Sequence, residues 1–128
     1  MHRKVLIVSM EESIVNFIGD FLSENNYAYE TATGKDASIN AIDLIKGNNY
    51  GLIIQDIIRP NIDGIEFIKR IKSMGVATPV IAFSGFNTGT VFPLAMKAGA
   101  FRCFEVPFDF DSLESLIKEA LMDSESNA

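Results

Sequence analysis

The sequence contains very little cysteine and no long apolar run. Cys103 is the only cysteine, which excludes an internal disulfide and fits a reducing compartment. No window approaches the roughly 18 to 20 apolar residues of a membrane-spanning helix. The apolar run after the N-terminus is also too short for the hydrophobic region of a secretory signal. These absences predict a cytoplasmic protein that does not associate with membranes.

Basic residues are also scarce. The 11 lysine and arginine residues are outnumbered by 17 aspartate and glutamate residues, which gives a formal net charge of -6 and argues against nucleic-acid binding. The 128 residues contain no internal repeat, linker or low-complexity block, and 48% of them are hydrophobic. We therefore expect one globular domain over residues 1–122 and a polar tail at residues 123–128.

Short apolar runs alternate with segments of helical periodicity. Three of the runs are typical of parallel strands that are buried on both faces: residues 5–8, 52–54 and 79–83. Two less apolar segments fit strands at the edges of a sheet: residues 27–31 and 101–106. Pro93 restricts the fourth of the five intervening helices to roughly residues 92–98. This alternation predicts a three-layer α/β sandwich around a parallel sheet.

Polar residues follow the apolar runs where each predicted strand ends. Asp56 comes after the central run, and Ser84 and Gly85 come after the fourth strand. Parallel strands end at one edge of a sheet, so these residues should lie at the edge where open α/β sheets place their chemistry. Asp63 can cap the helix after Asp56, and Asp109 or Asp111 can cap the last helix.

Five motifs occur in the order and spacing of a known family: residues 5–8 before an acidic loop, 56–64, 79–81 leading to Ser84 and Gly85, Lys-Ala-Gly-Ala at 97–100, and Pro-Phe at 107–108. Through these motifs the chain resembles the receiver domains of bacterial two-component response regulators, from residue 4 to about residue 122. The resemblance implies a flavodoxin-like, doubly wound (βα)5 sandwich with sheet order 2-1-3-4-5. It also implies a phosphorelay signalling module that is not an enzyme.

The resemblance assigns roles to four residues. The family's aspartate at the position of Asp56 accepts a phosphoryl group from a histidine kinase, with Mg²⁺ assisting. Ser84 matches the hydroxyl residue that bonds a phosphoryl oxygen, and Gly85 matches a residue that offers its backbone N–H. Ile58 would supply its backbone carbonyl to the metal, beside the Asp56 carboxylate. A histidine kinase or a phosphotransfer protein is the implied partner.

The sequence departs from the family where the metal is bound. The family has two adjacent acids after the first strand, and the second is a direct metal ligand, whereas Ser9 and Met10 occupy these positions here. A thioether is a poor ligand for Mg²⁺, which prefers hard oxygen donors. A rearranged loop could bring Glu11 to the metal instead. We expect Mg²⁺ binding to be weak or absent.

Two further departures lie on the fifth strand. The family's lysine before the proline is Val106 here, which removes the cation that pairs with a phosphoryl oxygen, and Arg59 is the candidate substitute. Cys103 occupies the position of the family's aromatic switch residue, and its simpler interpretation is a small hydrophobic strand residue. Phosphotransfer to Asp56 is therefore expected to be impaired.

Two classes of function remain open at this point. In the first, phosphorylation of Asp56 shifts an equilibrium between two loop arrangements. In the second, the chain is a pseudo-receiver that binds proteins independently of phosphate. Simpler roles also exist for two of the residues, since Ser84 can bond its own loop and Glu11 can be an acid at a helix start.

Two other classes with related architecture are disfavoured. A hydrolase of the haloacid dehalogenase type requires a second acid two residues after the first, and Ile58 follows Asp56 at that spacing. An electron-transfer flavodoxin requires a Ser/Thr-rich phosphate loop after the first strand, which this sequence lacks.

A contact surface is predicted around the fourth helix and the fifth strand. Most of the phenylalanines in this part of the chain, Phe92, Phe101, Phe104, Phe108 and Phe110, are interpreted as core residues. Some of them could be exposed on the face around Phe92, Phe101 and Cys103. An exposed apolar patch here would mark an interface for a homodimer or an output partner.

Overall fold

The computed structural model describes residues 3–57 and 63–126. Strands and helices alternate along this part of the chain: β1 Val5–Ser9, α1 Glu12–Glu24, β2 Tyr29–Thr33, α2 Ala37–Gly47, β3 Leu52–Asp56, α3 Asp63–Ser73, β4 Val80–Ser84, α4 Thr88–Ala98, β5 Arg102–Glu105 and α5 Phe110–Ser126. None of these helices combines the length and the hydropathy that crossing a bilayer would require.

The described strands form one parallel sheet. Its order is β2-β1-β3-β4-β5, and every neighbouring pair runs in the same direction. The prediction of a flavodoxin-like three-layer sandwich with strand order 2-1-3-4-5 is therefore confirmed. The two less apolar strands, β2 and β5, lie at the edges as expected.

The sheet is buried on both faces, and successive side chains of each central strand enter opposite cores. In β1, Leu6 and Val8 pack with side chains of α2, α3 and α4 in a first core. Val5 and Ile7 pack with side chains of α1 and α5 in a second core. This double burial explains why the central strands are continuous apolar runs rather than alternating ones.

Helix α4 begins earlier than the sequence predicted. It starts at Thr88, so that Pro93 lies inside the helix and not in its first turn. The backbone carbonyl of Asn87 accepts the N–H groups of Thr90 and Val91 and begins the helix before the proline. The carbonyl left without its helical donor is that of Gly89, an exposed residue, and water can satisfy an exposed carbonyl.

The edge strands differ from their predicted bounds. Strand β2 starts at Tyr29 because the N–H of Tyr27 still bonds the Leu22 carbonyl, at 2.9 Å, in the turn that closes α1. Strand β5 covers residues 102–105, two residues less than predicted. The N–H groups of Phe101 and Val106 nevertheless continue its bonding to β4.

Helix α5 is held at both ends. The sequence left Asp109 and Asp111 as alternative caps, and the cap is Asp109, since the Ser112 N–H donates to Asp109 Oδ1 at 2.8 Å. At the other end the helix continues to Ser126, into the residues that the sequence suggested as a polar tail. Ser124 is 5% exposed, and its side chain and carbonyl accept hydrogen bonds from Arg3. This contact joins the start of the described chain to its last helix.

The end of β3 lies directly against the start of α3. A Cβ atom on Gly64 would lie 2.6 Å from the Asp56 carbonyl oxygen and 2.7 Å from Ile57 Cγ2. The backbone can approach this closely only because residue 64 is glycine. Gly64 therefore helps to fix where β3 ends.

Gly64→Ala is expected to destabilise the protein by about 1–3 kcal/mol, because the added methyl group meets backbone atoms that cannot move aside cheaply. Gly47→Ala is the matched control, since it also adds one methyl group to a helix but has no atom within 4 Å of the new Cβ. We expect Gly47→Ala to leave stability unchanged or to raise it by about 0.5 kcal/mol. Urea unfolding measures both variants, and equal free energies of unfolding would contradict the packing argument.

Candidate functional site

The candidate site lies at the carboxyl edge of the sheet, where β1 and β3 end side by side. The two strands pair in register from Val5 with Leu52 to Val8 with Gln55, which brings Ser9 beside Asp56. The chain order reverses between these strands, because β1 connects towards one edge of the sheet and β3 towards the other. Such a switch point is the usual ligand position in open α/β sheets.

Ser9 is a direct partner of Asp56. Its hydroxyl donates a hydrogen bond of 2.6 Å to Asp56 Oδ2, and it accepts the backbone N–H of Glu11 at 3.0 Å. Ser9 is 2% exposed, whereas Asp56 is half-buried. The sequence identified Ser9 only as a missing acid, although the adjacency of β1 and β3 in the predicted order was a signal for this contact.

Ser84 is fully buried at the end of β4, and its hydroxyl is engaged within its own loop. Ser84 Oγ donates to the Phe86 carbonyl at 2.9 Å and accepts the Phe86 N–H at 3.1 Å. This is the local bonding that the sequence allowed as the simpler role of Ser84. A bond from Ser84 to a phosphoryl oxygen stays a prediction.

Gly85 and Val106 pack closely together. A Cβ atom on Gly85 would lie 2.8 Å from the Val106 carbonyl oxygen and 2.9 Å from its Cγ2. Val106 is half-buried against the second core, and it precedes Pro107 through a cis peptide bond. Val106 is therefore used for apolar packing.

Met10 and Glu11 form the connection from β1 to α1. Met10 is 41% exposed, and its thioether does not provide a hard metal ligand. Glu11 precedes the first turn of α1, where its carbonyl accepts the N–H groups of Ile14 and Val15. Its place at the N-terminus of a helix agrees with the simpler interpretation of this acid.

The described residues at this edge do not fit a Mg²⁺ site. No group of three histidine, cysteine, aspartate or glutamate residues that could hold a metal occurs in residues 3–57 and 63–126. One oxygen of the Asp56 carboxylate at this edge accepts the Ser9 hydroxyl. Ile58 and Arg59, the predicted carbonyl ligand and substitute cation, lie outside the described residues.

The residues predicted to form a contact surface are half-buried. Phe92 and Cys103 pack against the first core, and Phe101 packs against the second. The Cys103 thiol lies 3.9 Å from the Phe92 carbonyl oxygen, and burial raises its pKa to about 11. Larger exposed apolar side chains near this surface come from Leu94 and Met96 of α4.

Gln55 is a buried polar residue that the sequence analysis did not single out. It is 3% exposed in β3, next to Asp56, and its Nε2 donates to the Asp56 carbonyl at 2.9 Å. Its Oε1 has no hydrogen-bond partner among the described residues. The signal in the sequence was a polar residue at the end of the apolar run of residues 52–54.

Comparison with known proteins identifies relatives over most of the chain. FixJ, a transcriptional regulatory protein of Bradyrhizobium diazoefficiens, is 32% identical over 87 residues, which are 68% of this chain and 42% of FixJ. Sporulation initiation phosphotransferase F of Bacillus subtilis is 26% identical over 122 residues, 94% of this chain and 95% of that protein. The chain thus spans less than half of FixJ but nearly all of the Bacillus protein.

Solved structures agree with these relatives. The receiver domain of the Francisella response regulator 1452 superposes with a TM-score of 0.81 at 27% identity, over 94% of this chain and 97% of that one. NtrX from Brucella abortus superposes with a TM-score of 0.87 at 26% identity, over 99% of this chain and 28% of that one. The family model described as the response regulator receiver domain matches residues 5–118. On this match and on the shared fold, the chain belongs to the family of response regulator receiver domains.

Proposed function

We propose that this receiver domain works in phosphorelay signal transduction with Asp56 as its phosphoacceptor, and that phosphoryl transfer to Asp56 is impaired. The observation that carries the proposal is the 2.6 Å hydrogen bond from Ser9 to the Asp56 carboxylate. By the family resemblance, this neutral hydroxyl takes the place of an acid, and the carboxylate that it contacts is the proposed acceptor. The domain would act as a signalling module and not as an enzyme.

Support for Asp56 as the acceptor comes from its position and from one relative. Asp56 lies half-buried at the end of a central strand, at the edge where this fold places its chemistry. The Bacillus subtilis protein that aligns with 94% of the chain is named a phosphotransferase. By this likeness, a histidine kinase or a phosphotransfer protein is the expected source of the phosphoryl group.

Support for impaired transfer comes from the charges at the edge. A transferring phosphoryl group spreads negative charge over its oxygens, and catalysis depends on cations that balance this charge. Val106 replaces the family's lysine with an apolar side chain that packs into the second core. Ser9 and Met10 replace the acids that would hold a metal. The transition state of phosphoryl transfer to Asp56 should therefore lose much of its electrostatic stabilisation.

The alternative is a pseudo-receiver that binds its partner without phosphorylation. The hydroxyl of Ser84 favours this alternative, since it both donates to and accepts from the backbone of Phe86. The one donor of this hydroxyl is thus used without a phosphoryl group. Because this hydroxyl already donates within its own loop, phosphorylation would shift the equilibrium between loop conformations only slightly.

Incubation with acetyl phosphate and millimolar Mg²⁺ should phosphorylate Asp56 slowly and incompletely, because the metal and lysine contributions are missing. Intact-mass spectrometry over time gives the extent of labelling, and amide NMR spectra give its structural effect. Asp56→Asn is the control, since an amide cannot accept the phosphoryl group. Absence of both labelling and spectral change would reject the phosphoacceptor proposal in favour of the pseudo-receiver.

Met10→Asp is expected to strengthen Mg²⁺ binding by about tenfold or more, because it restores a hard ligand at the family's metal position. Met10 is exposed, so the change should not disturb the core. Met10→Asn is the matched control, with similar size but no charge. NMR titration with Mg²⁺ measures both, and equal affinities in the two variants would show that the loss of the acid does not explain weak binding.

Cys103 should react slowly with iodoacetamide at pH 8, because burial raises the pKa of its thiol to about 11. Only about a thousandth of the thiol is then ionised, compared with roughly a quarter of a free cysteine, and the thiolate is the nucleophile. The rate should rise about tenfold per pH unit up to about pH 11. Alkylation of the urea-unfolded protein provides the reference rate, and an equally fast reaction of the folded protein would rule out a packed thiol.

A further inference from the structure

Gln55 is a buried polar residue at the end of an apolar run in β3. It is 3% exposed, whereas the preceding residues of the strand, Leu52, Ile53 and Ile54, are apolar and 0% exposed. Because side chains alternate along a strand, Gln55 points to the same face as Ile53, which packs in the first core. Its Oε1 has no hydrogen-bond partner among the described residues. A buried acceptor without a donor lowers stability, and an apolar side chain at this position would remove that penalty.

The amide nitrogen of Gln55 acts on the backbone of Asp56. Nε2 donates to the Asp56 carbonyl oxygen at 2.9 Å. The other polar atom of the same peptide group, the Ile57 N–H, donates to the Phe83 carbonyl of β4 at 2.9 Å. Gly64 of α3 packs against this group, since a Cβ atom there would lie 2.6 Å from the Asp56 carbonyl oxygen. Both polar atoms of the peptide group are therefore held, one by a side chain and one by the sheet.

The orientation of this peptide group decides where the Asp56 side chain points. A peptide group is planar, and its plane contains the Cα atom from which the Asp56 side chain departs. With the plane fixed, the Asp56 carboxylate lies 2.6 Å from the Ser9 hydroxyl. The rate of a reaction at a carboxylate oxygen depends on its placement, and an error of about 1 Å can slow such a reaction by about a hundredfold.

We propose that Gln55 is a positioning residue for Asp56, which holds the backbone of the acceptor so that its carboxylate faces Ser9 and the incoming phosphoryl group. This inference rests on the proposed function of Asp56. It differs from a merely structural role in one measurable respect. Replacement of Gln55 by an apolar residue should slow phosphoryl transfer without any loss of stability.

Gln55→Met tests the proposal, because methionine has a similar length but no amide donor. The urea midpoint should stay the same or rise, since the buried Oε1 is removed. Labelling of Asp56 by acetyl phosphate, followed by intact-mass spectrometry, should slow by about tenfold. The loss should lie in the limiting rate and not in the acetyl phosphate concentration that gives half of it, because Gln55 is buried and does not bind the donor.

Ile53→Met is the matched control. It introduces the same side chain into the same strand, on the same face and at an equally buried position. It should lower stability slightly and leave the labelling rate within about twofold of the wild type. Gln55→Leu is a second apolar variant and should behave like Gln55→Met, so misfolding of one variant leaves the comparison intact.

The amide resonance of Glu11 reports the orientation of Asp56 without any phosphorylation. The Glu11 N–H donates to the Ser9 hydroxyl, which in turn donates to Asp56. This resonance should shift in Gln55→Met and stay in place in Ile53→Met. An unchanged labelling rate, an unchanged Glu11 resonance, or equal losses of rate and stability would each overturn the proposal. Absence of labelling in the wild type would reject the phosphoacceptor role, and the Glu11 resonance would then decide by itself whether Gln55 orients Asp56.

Discussion

Burial of the central sheet on both faces is the constraint on which the rest of the structure depends. A parallel sheet must be covered by crossover helices on each side, and its central strands then carry continuous apolar runs. All of its strands end at one edge, which is where the polar residues lie. The order of strands further places the ends of β1 and β3 side by side, so the Ser9 and Asp56 side chains meet as a consequence of the fold.

The Asp56 carboxylate is held by a neutral hydrogen-bond partner at the edge of the sheet. A half-buried carboxylate needs a polar partner. The hydroxyl of Ser9, a residue that is 2% exposed, is that partner. One oxygen of this carboxylate is therefore satisfied by a residue of β1.

Most of the fold could be predicted from the sequence, and its details could not. The apolar runs identified the central strands, and Asp109 was one of two candidate caps because local backbone chemistry decides capping. The predicted start of α4 was wrong, because the helix begins upstream of Pro93, where the Asn87 carbonyl accepts the first helical hydrogen bonds. The sequence rule that restricts proline to the first turn of a helix does not take into account whether the unpaired carbonyl is exposed to water. That exposure depends on how the chain packs.

The sequence by itself determined the central strands and the position of Asp56, because hydrophobic periodicity is encoded locally, whereas the strand order was implied by the family resemblance. Tertiary structure alone decided how the side chains at the edge are used. Ser84 bonds its own loop, Gln55 leaves an acceptor facing no donor among the described residues, and Ser9 holds the Asp56 carboxylate. The Ser9 contact joins residues 47 positions apart in the chain, and the other two depend on how side chains are oriented at the strand ends. Composition and spacing do not specify such geometry.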